Sequence, residues 1–206
     1  EGQIMYDQLK DYDGVFNKNL EHYIMKFDNF LDKDLCKRGI EQLNNHGEGW
    51  QPHEFWEPKT KTWNKLSGDK ENDTIYAMDT EITETIMKDL WYAIDKYIKN
   101  YKMPWFSGWS GFSWPRYNKY FDEKQMASHC DHIQSLFTGE RRGIPILSCL
   151  GTLNEDYEGG DFIMFEDTPI EFKTGDLIIF PSIFLYPHKV LPVTKGTRYS
   201  YISWVY

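Results

Sequence analysis

The most regular hydrophobic pattern in the chain is a stripe of Ile82, Ile86, Leu90, Ile94 and Ile98, each four residues from the last. That spacing puts all of them on one helix face and predicts α-structure over about residues 79–100. Asp79 and Thr80 are candidate caps, and Glu81 and Glu84 complement the positive end of the helix dipole. A long helix with one apolar stripe packs that stripe on a sheet, so the segment reads as scaffold. Nearer the N-terminus, residues 23–27 (Tyr-Ile-Met-Lys-Phe) alternate weakly, as a short strand does. Asp32 or Asp34 then caps an earlier helix carrying Leu35, Ile40 and Leu43.

Between the two helices, over residues 51–74, the pattern fades into polar sequence. This stretch reads as a surface loop or a long hairpin tip. Its functional reading is a lid over a cleft, with Trp56 and Trp63 as contacts. From Trp105 onward the texture is short runs punctuated by Gly and Pro. Strands are predicted over residues 111–120, 144–153, 161–165, 170–172, 177–180, 188–192 and 198–206. Strands this short and evenly spaced point to a sandwich or jelly roll. The expected fold is α+β: a helical support and loop region over residues 1–104, packed on a jelly-roll core over 105–206, in one domain.

Composition narrows the function. At 206 residues and 40% hydrophobic, the chain can bury one core. A net charge of −9 repels a phosphate backbone, so nucleic acid is not an expected partner. Cys36, Cys130 and Cys149 give an odd count without paired spacing. That argues against a disulfide framework and for a reducing, cytoplasmic setting. No apolar run of membrane-spanning length and no signal-peptide layout is present, so no membrane association is expected. A compact chain ending directly after its last core strand looks microbial or viral, the latter placing it in the cytoplasm of an infected host.

The sharpest chemical feature is His129-Cys130-Asp131. On an extended strand residues two apart share a face, so His129 and Asp131 project together as two candidate ligands for one metal. Alone, such a pair is common, and a surface histidine beside an aspartate explains it. A third histidine, His188, lies in the β half, where strands can return beside the first pair. Together they make the 2-His-1-carboxylate facial triad of non-haem iron(II) oxygenases. Ten residues after His188 comes Arg198, at the start of the last predicted strand. A guanidinium deep in a barrel needs a carboxylate, and the free end of a dicarboxylate chelating the metal would supply it. In isolation His188 reads equally as a core histidine and Arg198 as half of an ion pair; their joint placement is what favours the site. His132 is expected to face away from the pair, behind the ligands or at the surface, and His22, His46 and His53 read as structural or exposed.

Several ordered motifs extend this. They are Arg116-Tyr117-Asn118-Lys119-Tyr120, then Met126 to His132, Leu153-Asn154, and Tyr157-Glu158-Gly159-Gly160-Asp161-Phe162. Lys173-Thr174-Gly175-Asp176-Leu177 follows, and His188 with Pro192 to Trp204 completes the set. Over about residues 117–204 the chain resembles the prolyl 4-hydroxylase branch of the Fe(II)/2-oxoglutarate-dependent dioxygenases. The resemblance implies a double-stranded β-helix with His129, Asp131 and His188 as iron ligands. It implies Arg198 on the distal carboxylate of 2-oxoglutarate, where many animal prolyl 4-hydroxylases carry Lys. Tyr120 corresponds to a tyrosine that often bonds the same carboxylate, with Tyr117 a close competitor. Glu123 stands where family members often have Gly.

The implied cofactors are Fe(II), 2-oxoglutarate and O2, with ascorbate as an accompanying reductant. The implied reaction is hydroxylation coupled to oxidative decarboxylation of 2-oxoglutarate to succinate and CO2. Related halogenases lack the carboxylate that Asp131 provides, which favours hydroxylation. Related nucleic-acid demethylases carry a second Arg where Trp204 stands. The implied substrate is a prolyl residue in a peptide or protein, contacted by Trp56, Trp63, Tyr76 and Trp204, the last of which reads equally as pocket wall or core. The competing readings are a hydroxylase of a free amino acid or other small molecule, and a non-catalytic jelly-roll binding module.

Overall fold

The structure, a computed structural model, describes residues 17–57, 60–65, 70–101, 108–131 and 145–206, without the side chains of Trp56 and Glu57. His132, the expected 104/105 boundary and the first residue of the 144–153 run lie outside the described residues.

Two helices form where the apolar spacing requires them. Helix α1 (Lys33–Asn44) is capped by Asp32, whose carboxylate accepts the N–H groups of Asp34 at 2.9 Å and Leu35 at 3.1 Å. Helix α2 (Glu81–Tyr101) buries Ile82, Ile86, Leu90 and Ile94 completely. Residues 23–27 are only partly a strand. A 3-10 turn over Leu20–Tyr23, with Asn19 as its cap, consumes the first residue before β1 (Met25–Phe27) begins.

The 51–74 stretch holds more order than its polarity suggests. It contributes β2 (Gln51–Pro52), a hairpin of β3 (Phe55–Glu57) and β4 (Thr62–Asn64), and the start of β5 (Asp73–Ile75). The later strands are β6 (Arg116–Tyr120), β7 (Met126–His129), β8 (Leu147–Thr152) and β9 (Glu158–Gly159). They continue as β10 (Phe162–Met164), β11 (Thr168–Ile170), β12 (Leu177–Pro181) and β13 (His188–Val190). β14 (Val193–Lys195) and β15 (Arg198–Val205) end the chain. A seven-stranded antiparallel sheet runs β1-β12-β8-β15-β6-β5-β2, and a four-stranded one runs β11-β10-β13-β7. The N-terminal half is therefore more than a helical layer, since β1, β2 and β5 extend the larger sheet at both edges.

Residue parity along the central strands sorts side chains into two cores. Tyr199, Tyr201 and Val205 of β15, Tyr117 of β6, and Leu147 and Cys149 of β8 join the buried stripe of α2. The alternate residues, Ile202, Trp204, Tyr120 and Leu150, pack with Met126, Phe162 and Val190 of the smaller sheet. The pleat thus turns one side of the large sheet to the helices and the other to the small sheet. All of β15 is buried, because both of its faces are covered. Gly159 belongs to β9, Gly159 and Gly160 both have positive φ (+72° and +67°), and a Cβ on Gly159 would lie 2.4 Å from the Pro192 carbonyl oxygen. Among the described residues no helix is long and apolar enough to cross a membrane, and all three cysteines are free thiols.

Candidate metal centre

The smaller sheet brings the two distant histidines together. β13 runs antiparallel to β7 with His188 directly opposite His129, and the imidazole centroids stand 4.4 Å apart. Asp131 lies just past the end of β7, in a bend, yet its carboxylate still turns back to the pair. Asp131 Oδ1 is 3.6 Å from His129 Nε2 and 3.9 Å from His188 Nε2. One ligand atom from each residue falls within 4.8 Å of the others, forming a three-residue cluster able to hold a metal ion.

The far side of each ring is anchored. His129 Nδ1 faces the Ala127 carbonyl at 2.8 Å, and His188 Nδ1 faces that of Tyr186 at 3.1 Å. With the proton on Nδ1 donated to these carbonyls, both Nε2 lone pairs point at Asp131, the tautomer that metal ligation needs. Asp131 Oδ2 accepts the Ser148 hydroxyl at 2.6 Å, and Ser148 in turn lies 2.7 Å from the Ser182 hydroxyl.

Electrostatics keep the set in its ligating form. Burial lowers the His129 pKa, and the neighbouring His188 lowers it further, against the opposing pull of Asp131. Burial pushes the Asp131 carboxyl up, but His188, His129 and the Ser148 hydroxyl together outweigh it and hold the carboxyl below the usual range. The site at neutral pH therefore sets a neutral His129 imidazole beside the Asp131 carboxylate in a buried setting.

Above this cluster lies a cleft of about 350 Å³ between the two sheets. Met126, Leu150, Phe162, Val190 and Ile202 make its apolar walls; Arg116, Asn118, Tyr120 and Arg198 add polar groups. Arg198 opens β15 directly opposite Tyr120 on β6, and its guanidinium lies 5.1 Å from the Tyr120 ring centroid. It is 1% exposed. Nη1 donates to Ser200 Oγ at 2.9 Å, while Nε is buried with no acceptor.

The two tyrosines separate by parity. Tyr120 lines the cleft, whereas Tyr117, an odd number of residues away, faces α2 and shares a 2.6 Å hydrogen bond with the Thr83 hydroxyl. Tyr117 is thus not brought together with the metal cluster. Trp204 is 3% exposed beneath the cleft; its indole N–H reaches no acceptor at hydrogen-bond distance. Trp63 and Tyr76 are 57% and 43% exposed and lie outside the cleft lining. Trp56 pairs with Trp63 along the β3–β4 hairpin, but its side chain is not among those described.

Several neighbours carry no local sequence signal. Phe55, at the base of the hairpin, sets its ring 6.1 Å from that of His129. His53 packs edge-on against Phe55 at 4.6 Å, and burial, then Arg116 and His129, push its pKa down to about 2. Ser148 was likewise unmarked, and Arg116, though it opens the 116–120 motif, was given no role in a site. Only the even spacing of Arg116 from Tyr120 on one strand could have signalled its place in the cleft.

Comparison with known proteins agrees with this geometry. Residues 115–206 match the 2OG-Fe(II) oxygenase superfamily. A PKHD-type hydroxylase of Delftia acidovorans is 34% identical over 101 residues, 45% of this chain and 42% of that protein. One from Aliarcobacter butzleri is 35% identical over 98 residues, 44% and 42% of the two chains. The chain thus covers less than half the length of these relatives. The viral collagen prolyl hydroxylase of Paramecium Bursaria Chlorella virus-1, solved as a 2OG complex, superposes with TM-score 0.65 at 17% identity, over 93% of this chain and 98% of that one. A Pseudomonas putida prolyl-4-hydroxylase gives TM-score 0.60 at 20% identity, covering 99% and 97%. These structural likenesses carry the double-stranded β-helix fold. Residues 115–206, which hold the His129, Asp131 and His188 cluster, are thus similar to the 2OG-Fe(II) oxygenase superfamily.

Proposed function

We propose that the protein is an Fe(II)/2-oxoglutarate-dependent dioxygenase that hydroxylates a prolyl residue in a peptide or protein. The observation carrying this reading is a buried His-Asp-His cluster sharing its cleft with a buried arginine that has no carboxylate partner among the described residues. The donor set fits the metal. Ligands around one cation at ~2.1 Å stand roughly 3 Å from each other, so the observed 3.6 and 3.9 Å separations need only a small contraction. A dication also balances the buried charge of Asp131. The dicarboxylate fits as well, because the orphaned Arg198 Nε offers the fork that such a ligand's free end would take.

When bound, iron(II) with 2-oxoglutarate and O2 supplies the oxidising chemistry, releasing succinate and CO2. This chain's residues do the rest. His129, Asp131 and His188 would hold the ion beside the cleft that they line. Arg198 neutralises and orients the co-substrate's distal carboxylate, with Tyr120 beneath its guanidinium and Ser200 steadying Nη1. Leu150, Phe162, Val190 and Ile202 exclude water from the reacting centre. Ser148 holds the Asp131 oxygen turned away from the histidines, so that one oxygen is presented to the metal.

The prolyl assignment rests on the family resemblance and on the structural relatives, one of which, from Trichoplax adhaerens, was solved with a hypoxia inducible factor peptide fragment. Ascorbate enters on the resemblance alone. Free thiols at all three cysteines support a reducing, cytoplasmic setting.

Anaerobic titration of the metal-free protein with Fe(II) in the presence of 2-oxoglutarate tests the reading. A weak visible charge-transfer band that vanishes in His129→Ala is expected; a folded protein showing no band would sink it. Ser148→Ala is expected to weaken metal affinity by about 10- to 100-fold, as loss of a partner that orients a ligand does. Competition of Mn(II) against a chelator reads this directly, and unchanged affinity would remove Ser148 from the site.

A further inference from the structure

Arg198 is not the cleft's only arginine. On β6 the residues of one parity, Arg116, Asn118 and Tyr120, all line it, so Arg116 enters by the same pleat that brings in Tyr120. In register Arg116 stands opposite Ile202 of β15, while Tyr120 stands opposite Arg198. Four residues of strand separate the two arginines, roughly 13 Å along the sheet. A small dicarboxylate held between the metal and Arg198 therefore leaves Arg116 unused.

Arg116 is also unused by the protein. Its guanidinium lies over the Trp204 indole, 5.1 Å from the ring centroid. That contact satisfies the face of the group but none of its N–H donors. Nε is buried without an acceptor, and Arg116 forms no ion pair or side-chain hydrogen bond among the described residues. Arg116 lines the same cleft as His129, Asp131 and His188, so the cation faces the space beside the metal cluster. A buried-edge cation with open donors, facing an apolar cleft beside the reacting centre, is a receptor for an anion. Its planar fork matches a carboxylate best.

Given the dioxygenase reading, we propose that Arg116 binds a carboxylate of the substrate, so that the compound hydroxylated carries a negative charge close to the carbon that reacts. Two sources share this chemistry: the α-carboxylate of a free amino acid or chain end, and the side chain of an acidic residue beside the target.

Calorimetric titration of the Mn(II)- and 2-oxoglutarate-loaded protein separates them, with Arg198 already occupied. The probes are N-acetyl-L-proline against N-acetyl-L-prolinamide, and acetyl-Pro-Asp-amide against acetyl-Pro-Asn-amide. The wild type is expected to hold at least one acid about tenfold more tightly than its neutral counterpart, and the winning pair identifies the source. Arg116→Gln is expected to erase that preference, and Arg116→Lys to keep part of it, with thermal melts showing both variants folded. Equal binding of acid and neutral probes by the wild type, binding of neither, or a preference that survives Arg116→Gln overturns the proposal. Loading is measured first. Failure to take up 2-oxoglutarate counts against the dioxygenase reading, and the titrations then run on unloaded Arg198→Gln protein, where an acid preference still reports Arg116.

Discussion

Asp131→Ala should lower 2-oxoglutarate turnover by at least ~10³-fold and should also make the metal-free fold modestly less stable at neutral pH. The two halves of this expectation have different origins. In the metal-free protein Asp131 is a 4% exposed carboxylate that accepts the Ser148 hydroxyl. Burial opposes its charge, but His188, His129 and Ser148 outweigh that cost and hold the carboxyl below the usual range, so the charge stabilises the fold at neutral pH. Its removal forfeits that contribution, although Ser148 keeps Ser182 as a partner. With a dication present the loss is larger. Asp131 supplies the only formal negative charge of the cluster, and without it two neutral imidazoles must hold the ion alone. Thermal melts with and without Mn(II) separate these effects. Metal should raise the wild-type midpoint and leave that of the variant unmoved, since stabilisation by a ligand follows its affinity for the folded state. A variant that still shifts with metal, or still consumes 2-oxoglutarate, would show that the carboxylate is not a ligand.

The contrast between Asp131 and Ser148 also marks what the chain reveals on its face. The stripe of α2 and the cap at Asp32 were readable because their signals are local and periodic. The two-residue strands β2 and β9 were not, since two exposed residues carry no period and their pairing is set by distant chain. β6 was expected from residue 111 but begins at Arg116. Phe112 makes only an isolated bridge to Val205, and Pro115 has no N–H with which to continue the ladder. β11 ends at Ile170, where the expected strand began, because pairing with β10 and not hydrophobicity chooses its span. The metal cluster was legible as a spacing of residue types. Its supports were not, because a serine beside a carboxylate looks like any serine until β8 and β12 are paired. The choice between Tyr117 and Tyr120 belongs to the same category. Strand parity divides them, but parity points inward or outward only once α2 has claimed one face of the sheet.

Arg198→Ala should raise the 2-oxoglutarate concentration needed for half-maximal turnover by about 30- to 1,000-fold, the loss expected when one partner of a buried charge pair is truncated at ~2–4 kcal/mol. Metal affinity should not change, because Arg198 bonds Ser200 and rests on Tyr120 without touching His129, Asp131 or His188. Turnover at saturating co-substrate should recover much of its wild-type value, which distinguishes an anchor from a residue that takes part in the chemical step. Arg198→Lys should fall between, since it keeps the charge but loses the two-pronged geometry that the orphaned Nε makes available. Metal-free stability gives an independent check. A 1% exposed guanidinium with an unsatisfied Nε and no carboxylate among the described residues burdens the empty fold. Arg198→Met, which fills similar space without charge, should therefore melt no lower than wild type in the absence of 2-oxoglutarate and gain nothing when it is added. If Arg198→Ala left the apparent 2-oxoglutarate affinity untouched, the anchor would have to be sought at Arg116, the other arginine on the cleft floor, and the two arginines would exchange roles.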